Sequence, residues 1–406
     1  MTAPRFVNVG IVGGGLMGRE IAAALRRWPA LIDHPVVPRL TAIADINPLA
    51  LDWFRSIDTV ETFATDYRDL LADPNVDVVY IAVRHDLHEQ LYTDTIRAGK
   101  HLLAEKPFGI DPSAADAILS AIDATPGSFV RVSSEMPFFP GAQAAFAHIR
   151  SGGIGRVIEA TSSFLHSSDF DLDKPVNWKR QVRFNGRAGV MNDLGLHAWH
   201  VPLRLGWVPQ RLYAVLQDLV PFRPGPDGTL VPCDTWENAR ILATVAQDGY
   251  EFPLTVDTKR IDPGQKNTWS LTVTGLDGAV SFSTAHPTTL RVLTRETQPA
   301  LGPLAAEQRW QHVQVGSQSV WPTVTGGIFE TGFSDTILQM WASFLAERDG
   351  ALGGGFGCVT PEEAWSTHRI YAAALASHAG QSVVAPDFAP LAKADVATSA
   401  TTTGTA

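Results

Sequence analysis

A lysine, an aspartate and a histidine occupy positions from which they could act on a hydroxyl group. Lys106 lies between Glu105 and Pro107, after a short apolar run, and the proline favours a turn over a helix there. Asp193 and His197 are spaced i, i+4, which on a helix places both side chains on one face. We hypothesise that the lysine donates to a hydroxyl oxygen, the histidine removes its proton and the aspartate orients the pair.

One further expectation and a set of plainer alternatives accompany this hypothesis. The Asp193 carboxylate should raise the pKa of His197 by charge attraction. Each residue also fits a plainer role when taken alone. Lys106 could be a surface lysine in a loop, Asp193 a first-turn helix aspartate and His197 an incidental buried histidine.

A glycine-rich turn at the start of the chain predicts a dinucleotide site. Gly13, Gly15 and Gly18 form the pattern GxGxxG, directly after an apolar run and at the start of a helical pattern that opens with Leu16 and Met17. The first glycine permits a tight turn, the second lets the backbone approach a pyrophosphate, and the third lets helix and strand pack closely. The alternative is a tight strand-to-helix turn without a ligand.

The choice between NAD and NADP depends on Asp45, which ends the second predicted strand. A carboxylate there accepts hydrogen bonds from ribose hydroxyls and repels a 2′-phosphate, so NAD is the predicted cofactor. The spacing from the glycines exceeds the usual ~20 residues, which we attribute to an inserted loop over residues 28–39. The alternative is that Asp45 caps the next helix.

The elements that carry these residues predict an α/β fold with a doubly wound parallel sheet. Continuous β-branched runs alternate with amphipathic segments, as expected for strands buried on both faces. The predicted strands are 6–12, 40–46, 78–83, 101–104 and 128–133, and the predicted helices are 16–27, 87–98 and 112–124. Such a sheet collects its ligands at the carboxyl ends of its strands, so the glycine turn, Asp45, residues 84–88 and Lys106 should meet in one crevice.

The pattern changes after residue 135 to long alternating stretches, which predict an α+β domain with one large, mostly antiparallel sheet. We therefore divide the chain into a dinucleotide-binding domain (1–135), an α+β domain (136–392) and a disordered tail (393–406). The predicted strands are 157–165, 211–220, 239–246, 254–259, 270–274, 279–283 and 289–294, and the predicted helices are 141–151, 193–205, 336–348 and 361–377.

Composition excludes several classes of partner. The chain has 406 residues and a formal net charge of -10, which disfavours nucleic acid and anionic membranes as partners. No stretch approaches eighteen apolar residues, and no signal-peptide pattern opens the sequence. Its two cysteines, Cys233 and Cys358, are far apart and lack a metal-like spacing. We expect a cytoplasmic protein with free thiols and no metal site.

Taken in order, these segments resemble the glucose–fructose oxidoreductase/inositol dehydrogenase (Gfo/Idh/MocA) family. The segments are residues 9–15, 44–45, 80–83 with His88, 98–101 before Glu105-Lys106-Pro107, and 189–197. The resemblance implies an NAD-binding Rossmann domain, a C-terminal sheet domain and a catalytic group of Lys106, Asp193 and His197. It also implies small carbohydrate or cyclitol substrates and a homodimer or homotetramer joined through the open sheet face. The 84–88 loop departs from the Thr-Pro-Asn that the family usually has there.

Several weaker candidates complete the predicted site. Arg84 either contacts a ligand or pairs with Asp86, and the indole of Trp178 suits the C–H face of a sugar. His166 and Glu135 follow predicted strands. The predicted substrate contacts are Arg84, Glu135, His166, Trp178 and Asn192; the predicted cofactor contacts are Gly13, Gly15, Leu16, Met17, Gly18, Asp45, His88, Glu105 and Lys106.

The favoured function is therefore an NAD-dependent dehydrogenase that oxidises a secondary hydroxyl of a sugar, glycoside or cyclitol by hydride transfer. One alternative is a redox-neutral glycosidase or epimerase that retains and recycles its NAD. The other is a non-enzymatic dinucleotide sensor on the same fold, since a fold does not determine a function.

Overall fold

The computed structural model describes residues 5–294, 308–316 and 318–389. The predicted tail (393–406) and the last three residues of the predicted second domain (390–392) lie outside the described residues. Within the described part of the chain, no helix combines the length and the apolar character needed to cross a membrane.

The first sheet is parallel throughout, as predicted. Its strand order is β3-β2-β1-β4-β5-β6, with helices between successive strands. Valine, isoleucine and leucine fill the central strands, and all four residues of β4 are buried, which explains the continuous apolar runs in the sequence. The strands are β1 (Arg5–Val12), β2 (Val36–Ala44), β3 (Thr62–Ala64), β4 (Val78–Ile81), β5 (His101–Ala104) and β6 (Val130–Val132).

The helices of this part are short, and each of three begins with a side-chain cap. Asn47, Asp66 and Asp111 accept hydrogen bonds from the first turns of α2, α3 and α5, which stabilises helix termini. The short elements β3, α2 and α3 were not predicted, because three to six residues show no usable periodicity. The helices are α1 (Leu16–Arg26), α2 (Pro48–Leu51), α3 (Tyr67–Ala72), α4 (His88–Arg97) and α5 (Pro112–Ala124).

The predicted inserted loop over residues 28–39 is wrong for residues 36–39, which belong to β2. A single 3₁₀ turn covers Trp28–Ala30, and β2 already begins at Val36. Pro38 is tolerated in this strand because β3 pairs only with Ala42–Ala44, so that the start of β2 has β1 as its single partner.

The second sheet has eight strands in the order β16-β15-β14-β13-β7-β12-β11-β8. Every neighbouring pair is antiparallel except β7 with β12, so the prediction of a large, mostly antiparallel sheet is confirmed. A separate hairpin pairs β9 with β10. The strands are β7 (Val157–Leu165), β8 (Pro209–Gln217), β9 (Phe222–Pro224), β10 (Leu230–Pro232), β11 (Asn238–Gln247), β12 (Tyr250–Lys259), β13 (Thr268–Gly275), β14 (Gly278–Ser283), β15 (Thr289–Thr294) and β16 (Trp310–Gln314).

Five further α-helices lie in this part of the described chain, and the late ones connect its sheet to the first one. The late helices α9 and α10 pack against α1 and α5 of the first unit. Val359 forms a β-bridge with Val132, the last residue of β6. The division at residues 135/136 therefore remains a proposal, because the end of the chain returns to the first unit. The helices are α6 (Pro140–Arg150), α7 (Val182–Asn185), α8 (Leu196–Arg204), α9 (Phe333–Arg348) and α10 (Pro361–Gly380).

The predicted helix over residues 193–205 is two elements. A π-helical turn spans Met191–Gly195 and leads directly into α8. A Cβ on Gly195 would meet the hydroxyl of Tyr371 at 2.2 Å, so α10 approaches this turn closely. The wider π turn alters the angular relation between Asp193 and His197 that an α-helix would give.

Candidate active site

A cavity of about 1150 Å³ lies between the carboxyl edge of the first sheet and the second sheet. The first sheet contributes the glycine turn, Asp45, the loop after β4 and Lys106. The second unit contributes residues after β7 and β12, the segment before α7, and the π turn with the start of α8. The residues that were expected to meet at one edge therefore do so.

The glycine turn has the geometry that a dinucleotide requires. A Cβ on Gly13, whose φ is +104°, would meet the carbonyl oxygen of Ala82 at 2.2 Å, and a Cβ on Gly18 would meet the carbonyl oxygen of Gly13 at 2.0 Å. In contrast, nothing lies within 4 Å of a Cβ built on Gly15. Two glycines therefore permit the tight packing, and the third opens onto the cavity.

The N-terminus of α1 is available to an anion. Gly15 is its N-cap residue, and no side chain caps the helix, so its first N–H groups are free to bind phosphate oxygens. Leu16 and Met17 line the cavity beside it, whereas Gly18 is buried in the helix–strand contact.

Asp45 is held at the end of β2 by the backbone. Its Oδ2 accepts a hydrogen bond from the Gly14 N–H at 2.7 Å, and its Oδ1 accepts one from the Asn47 N–H at 2.8 Å. The cap of α2 is Asn47, whose side chain accepts from the Leu49 N–H. Asp45 is half-buried and lines the cavity, so its carboxylate retains acceptor capacity towards a ligand.

Lys106 bridges the two units. Its Nζ donates to the carbonyl oxygen of Asp193 at 2.7 Å and to the Asp193 Oδ1 at 2.9 Å. Burial lowers the pKa of Lys106, and Arg260 lowers it further, while Glu105 and Glu135 oppose the change. This environment brings the lysine closer to sharing a proton at neutral pH than an exposed lysine would be.

Two cations beside Asp193 were not recognised from the sequence. Lys179 Nζ donates to Asp193 Oδ1 at 2.8 Å, and the Arg260 guanidinium donates to Asp193 Oδ2. Both line the cavity, and the carboxylate they share with Lys106 is 2% exposed. Arg260 follows β12 and His166 follows the parallel strand β7, with Leu165 opposite Lys259. Ligands gather at the carboxyl ends of parallel strands. Applied to β7 and β12, the parallel pair of the second sheet, this strand-end rule would have indicated Arg260 as a site residue.

His197 is buried and contacts the first unit through Nδ1. This nitrogen lies 3.3 Å from Ser134 Oγ and 3.8 Å from Glu135 Oε2, and the ring packs edge-on against Phe164. The Nε2 atom of His197 forms no hydrogen bond with any described residue, and it is not fully buried. Because His197 lines the cavity, Nε2 opens to the cavity.

The expectation that Asp193 raises the pKa of His197 is wrong. Burial lowers that pKa well below its usual value, and Lys106, His166 and Lys179 lower it further. Asp193 is engaged with three cations instead of the imidazole. His197 is therefore neutral at pH 7, as a base must be.

Two buried carboxyl groups adjoin the lysine. Glu105 accepts hydrogen bonds from the Tyr80 and Ser133 hydroxyls, the latter at 2.7 Å. Burial, together with the Glu105 charge, raises the pKa of Glu135 to about 7. Both carboxyl groups line the cavity, so Glu135 is a group whose charge changes near neutral pH.

Two predicted contacts lie behind the cavity wall. His88 is fully buried, with Nδ1 2.7 Å from the carbonyl oxygen of Pro107, and it supports the turn that carries Lys106. The Asn192 amide donates to the carbonyl oxygens of Ile110 and Asn185. Neither residue lines the cavity in this structure; both lie behind its wall, so their direct contact with a ligand stays a prediction.

Apart from Gly18, the remaining predicted contacts line the cavity. Arg84 forms a two-point ion pair with Asp86 and stacks over Phe184 at 4.1 Å, so its charge is already paired. Trp178 packs edge-on against His85 at 4.8 Å, across the junction of the two units. Burial, reinforced by Arg260, lowers the pKa of His166 to about 4, which keeps this imidazole neutral. Further lining residues that were not predicted are His85, Ser168, Asp169, Lys174, Asn177 and Asn267.

Comparison with known proteins supports the interpretation of the first unit as an NAD-binding Rossmann domain. Residues 7–132 match the Gfo/Idh/MocA model, described as an oxidoreductase family with an NAD-binding Rossmann fold. This range contains the glycine turn, Asp45 and Lys106.

Relatives extend the similarity to most of the chain. Levoglucosan dehydrogenase of Pseudarthrobacter phenanthrenivorans is 25% identical over 369 residues, covering 85% of this chain and 90% of that protein. Inositol 2-dehydrogenase of Acidothermus cellulolyticus is 30% identical over 201 residues, covering 45% of this chain and 54% of that protein.

Solved structures show the same architecture. A levoglucosan dehydrogenase in complex with NADH and levoglucosan superposes with a TM-score of 0.82 at 24% identity, covering 94% of this chain and 100% of the other. An oxidoreductase domain protein from Kribbella flavida gives a TM-score of 0.83 at 21% identity, with 94% and 100% covered.

Proposed function

We propose that this chain, which belongs to the Gfo/Idh/MocA family of NAD-binding oxidoreductases, oxidises a secondary hydroxyl of a sugar, glycoside or cyclitol with NAD. The observation that carries the proposal is the convergence of Lys106, Asp193 and His197 on the cavity that the glycine turn opens into.

The cofactor fits the residues present. Gly15 leaves open space beside the uncapped N-terminus of α1, where a pyrophosphate would bind. Asp45 stands at the end of β2, where it would accept hydrogen bonds from ribose hydroxyls and disfavour a 2′-phosphate. NAD, when bound, supplies the hydride acceptor, and the protein supplies placement and charge.

The chain's own residues divide the remaining work. Lys106 donates a hydrogen bond to the substrate hydroxyl oxygen and stabilises negative charge as it develops. His197, neutral and open to the cavity at Nε2, accepts the hydroxyl proton. Asp193 fixes Lys106 across the junction of the two units, and it also binds Lys179 and Arg260 of its own unit.

The lining suits a small polyhydroxylated ligand. The polar residues Lys174, Asn177 and Asn267 line the same cavity as Trp178, whose indole can pack on a sugar C–H face. Levoglucosan is the first substrate to test, because a relative that aligns over 85% of this chain is a levoglucosan dehydrogenase. Inositols follow, on the basis of the shorter inositol dehydrogenase match.

The experiment is a screen of levoglucosan, pyranoses, glycosides and inositols with NAD and NADP, following reduced-nicotinamide absorbance. Net formation of NADH with at least one of these polyols supports the proposal. Conversion of substrate without accumulation of NADH would instead support a retained, recycled cofactor. No conversion of any member by folded, NAD-binding protein would contradict the proposal.

We also propose that the chain forms a homodimer or homotetramer through the outer face of the eight-stranded sheet. Apolar side chains stand exposed on that face, including Tyr213 and Val215 on β8 and Leu242 on β11, with Leu242 directly opposite Tyr213. Their burial against a second copy would remove this apolar surface from water. Light scattering after size-exclusion chromatography tests this, and Leu242→Glu should favour the monomer.

A further inference from the structure

Glu135 and His197 face each other across the junction of the two units. Glu135 directly follows Ser134 beyond β6, and His197 is the second residue of α8. Glu135 Oε2 lies 3.8 Å from His197 Nδ1, and both side chains are more than nine-tenths buried. Among the described residues, His197 is the one side chain within ion-pair distance of the Glu135 carboxylate, and no side chain lies at hydrogen-bond distance from it.

We propose that Glu135 is a positioning residue that holds His197 in the tautomer with the proton on Nδ1, so that Nε2 is free to accept the substrate proton. This inference rests on the proposed dehydrogenase function. If the chain is a dehydrogenase, Glu135 orients the catalytic histidine, whereas its position in the sequence predicted a contact with the substrate.

The tautomer decides what His197 can do. A neutral imidazole has one N–H, and with that proton on Nε2 the ring would present a donor to the cavity instead of a base. Ser134 Oγ, 3.3 Å from Nδ1, can donate or accept and therefore does not select between the two forms. An ionised carboxylate only accepts, so Glu135 selects the Nδ1–H form.

The same contact stabilises the charged ring after proton transfer. When His197 takes the proton of the hydroxyl, the imidazolium forms beside Lys106 and Lys179, which oppose its charge. The Glu135 carboxylate, which lies near Nδ1, compensates that charge. A separation of 3.8 Å is within ion-pair range, and such contacts shorten as charge develops in a catalytic site.

The surroundings set when Glu135 is ionised. Burial and the Glu105 charge raise its pKa to about 7, against Lys106, which lowers it. The proposed effect on His197 is therefore strongest above neutral pH. The titratable groups that face this pair from the neighbouring elements are Tyr80 on β4, Glu105 and Lys106 after β5, His166 after β7, Lys179 before α7 and His200 on α8.

The first experiment needs no substrate. In protein with ¹⁵N-labelled histidine at pH 8, the His197 signals, assigned by their loss in His197→Gln, report which nitrogen carries the proton. We expect the Nδ1–H form in the wild type and a shift towards the Nε2–H form in Glu135→Gln. A wild type in the Nε2–H form would overturn the inference, whether or not the chain is a dehydrogenase and whether or not the variant folds.

The second experiment uses the polyol that the screen identifies. Glu135→Gln should lower kcat for oxidation by roughly ten- to a thousandfold, leave the KM of the polyol within about threefold, and remove the acidic limb near pH 7 from the pH profile. Glu135→Asp, which keeps the carboxylate, should retain that limb. Glu89→Gln, on the exposed surface of α4, is the matched control. Wild-type kcat with an unchanged limb in Glu135→Gln would overturn the inference.

Discussion

Lys106 Nζ lies 2.9 Å from Oδ1 of Asp193 and 2.7 Å from the carbonyl oxygen of the same residue. The first residue follows a strand of the parallel sheet, and the second lies in the π turn before α8. A single lysine thus joins the first unit to the second at the cavity that both units line. Because Lys179 and Arg260 bind the same carboxylate, the junction is a charge cluster and not a single pair.

This cluster predicts a large stability change in Asp193→Asn. The carboxylate is 2% exposed and compensates three cations, and breaking a buried pair of this kind costs roughly 3–5 kcal/mol. Urea unfolding measures it. Glu251→Gln, which breaks the exposed pair with Arg211, is the control and should change stability little. Equal stabilities of Asp193→Asn and the wild type would show that the cluster does not support the fold.

The geometry of the glycine turn predicts that Gly15→Ala weakens NAD binding, whereas Gly18→Ala destabilises the fold. Gly15→Ala adds a methyl group where nothing lies within 4 Å, so the fold should be unaffected while the KM of NAD rises at least about tenfold, because the methyl group stands where the pyrophosphate approaches. Gly18→Ala would place its Cβ 2.0 Å from the carbonyl oxygen of Gly13 and should lower the melting temperature. An unchanged KM for NAD in Gly15→Ala would place the pyrophosphate elsewhere.

Asp45 predicts the cofactor preference. The wild type should use NAD with a higher kcat/KM than NADP, because the carboxylate at the end of β2 repels a 2′-phosphate. Asp45→Asn removes the charge but keeps an acceptor for the Gly14 N–H. This variant should therefore lower the ratio of kcat/KM with NAD to kcat/KM with NADP without unfolding the turn. Asp45→Ala removes both and serves as the comparison. Equal efficiency of the wild type with the two cofactors would contradict this role.

Glu135 predicts a pH-dependent difference in stability. Its pKa rises from 4.5, the ordinary value for an exposed glutamate, to about 7 in the fold, so the folded state holds this proton more tightly than the unfolded state. The resulting stabilisation is complete below pH 4.5 and is lost as the pH rises through 7, which amounts to roughly 3 kcal/mol. Relative to the wild type, Glu135→Gln should therefore have a higher free energy of unfolding at about pH 8 than at about pH 5, as measured by urea unfolding. A difference that does not change with pH would refute the shift.

Much of the fold follows from local sequence patterns. Continuous apolar runs such as residues 78–81 identify strands buried on both faces, and the strand-end rule then places the glycine turn, Asp45 and Lys106 together. Short elements such as Thr62–Ala64 escape prediction, since they depend on their neighbours in the sheet. The site itself is only partly predictable for the same reason.

The partners of the charged groups depend on tertiary contacts. Asp193 and His197 are four residues apart, and an α-helix would bring them together, but the π turn beside Tyr371 and three cations from other segments separate their roles. Lys179 and Arg260 carry no local pattern that connects them to a residue 14 or 67 positions away. Only the sheet register, which aligns the ends of β7 and β12, makes Arg260 recognisable.

The role of Lys106 in the proposed oxidation can be measured by steady-state kinetics of the wild type and Lys106→Met, with NAD and the polyol that the screen identifies. The loss of the donor at the hydroxyl oxygen should lower kcat by roughly 10²–10⁴-fold. Lys266→Met, an exposed lysine outside the cavity lining, is the control and should behave as the wild type. A Lys106→Met protein that is folded, binds NAD and forms NADH at the wild-type rate would contradict the proposed mechanism.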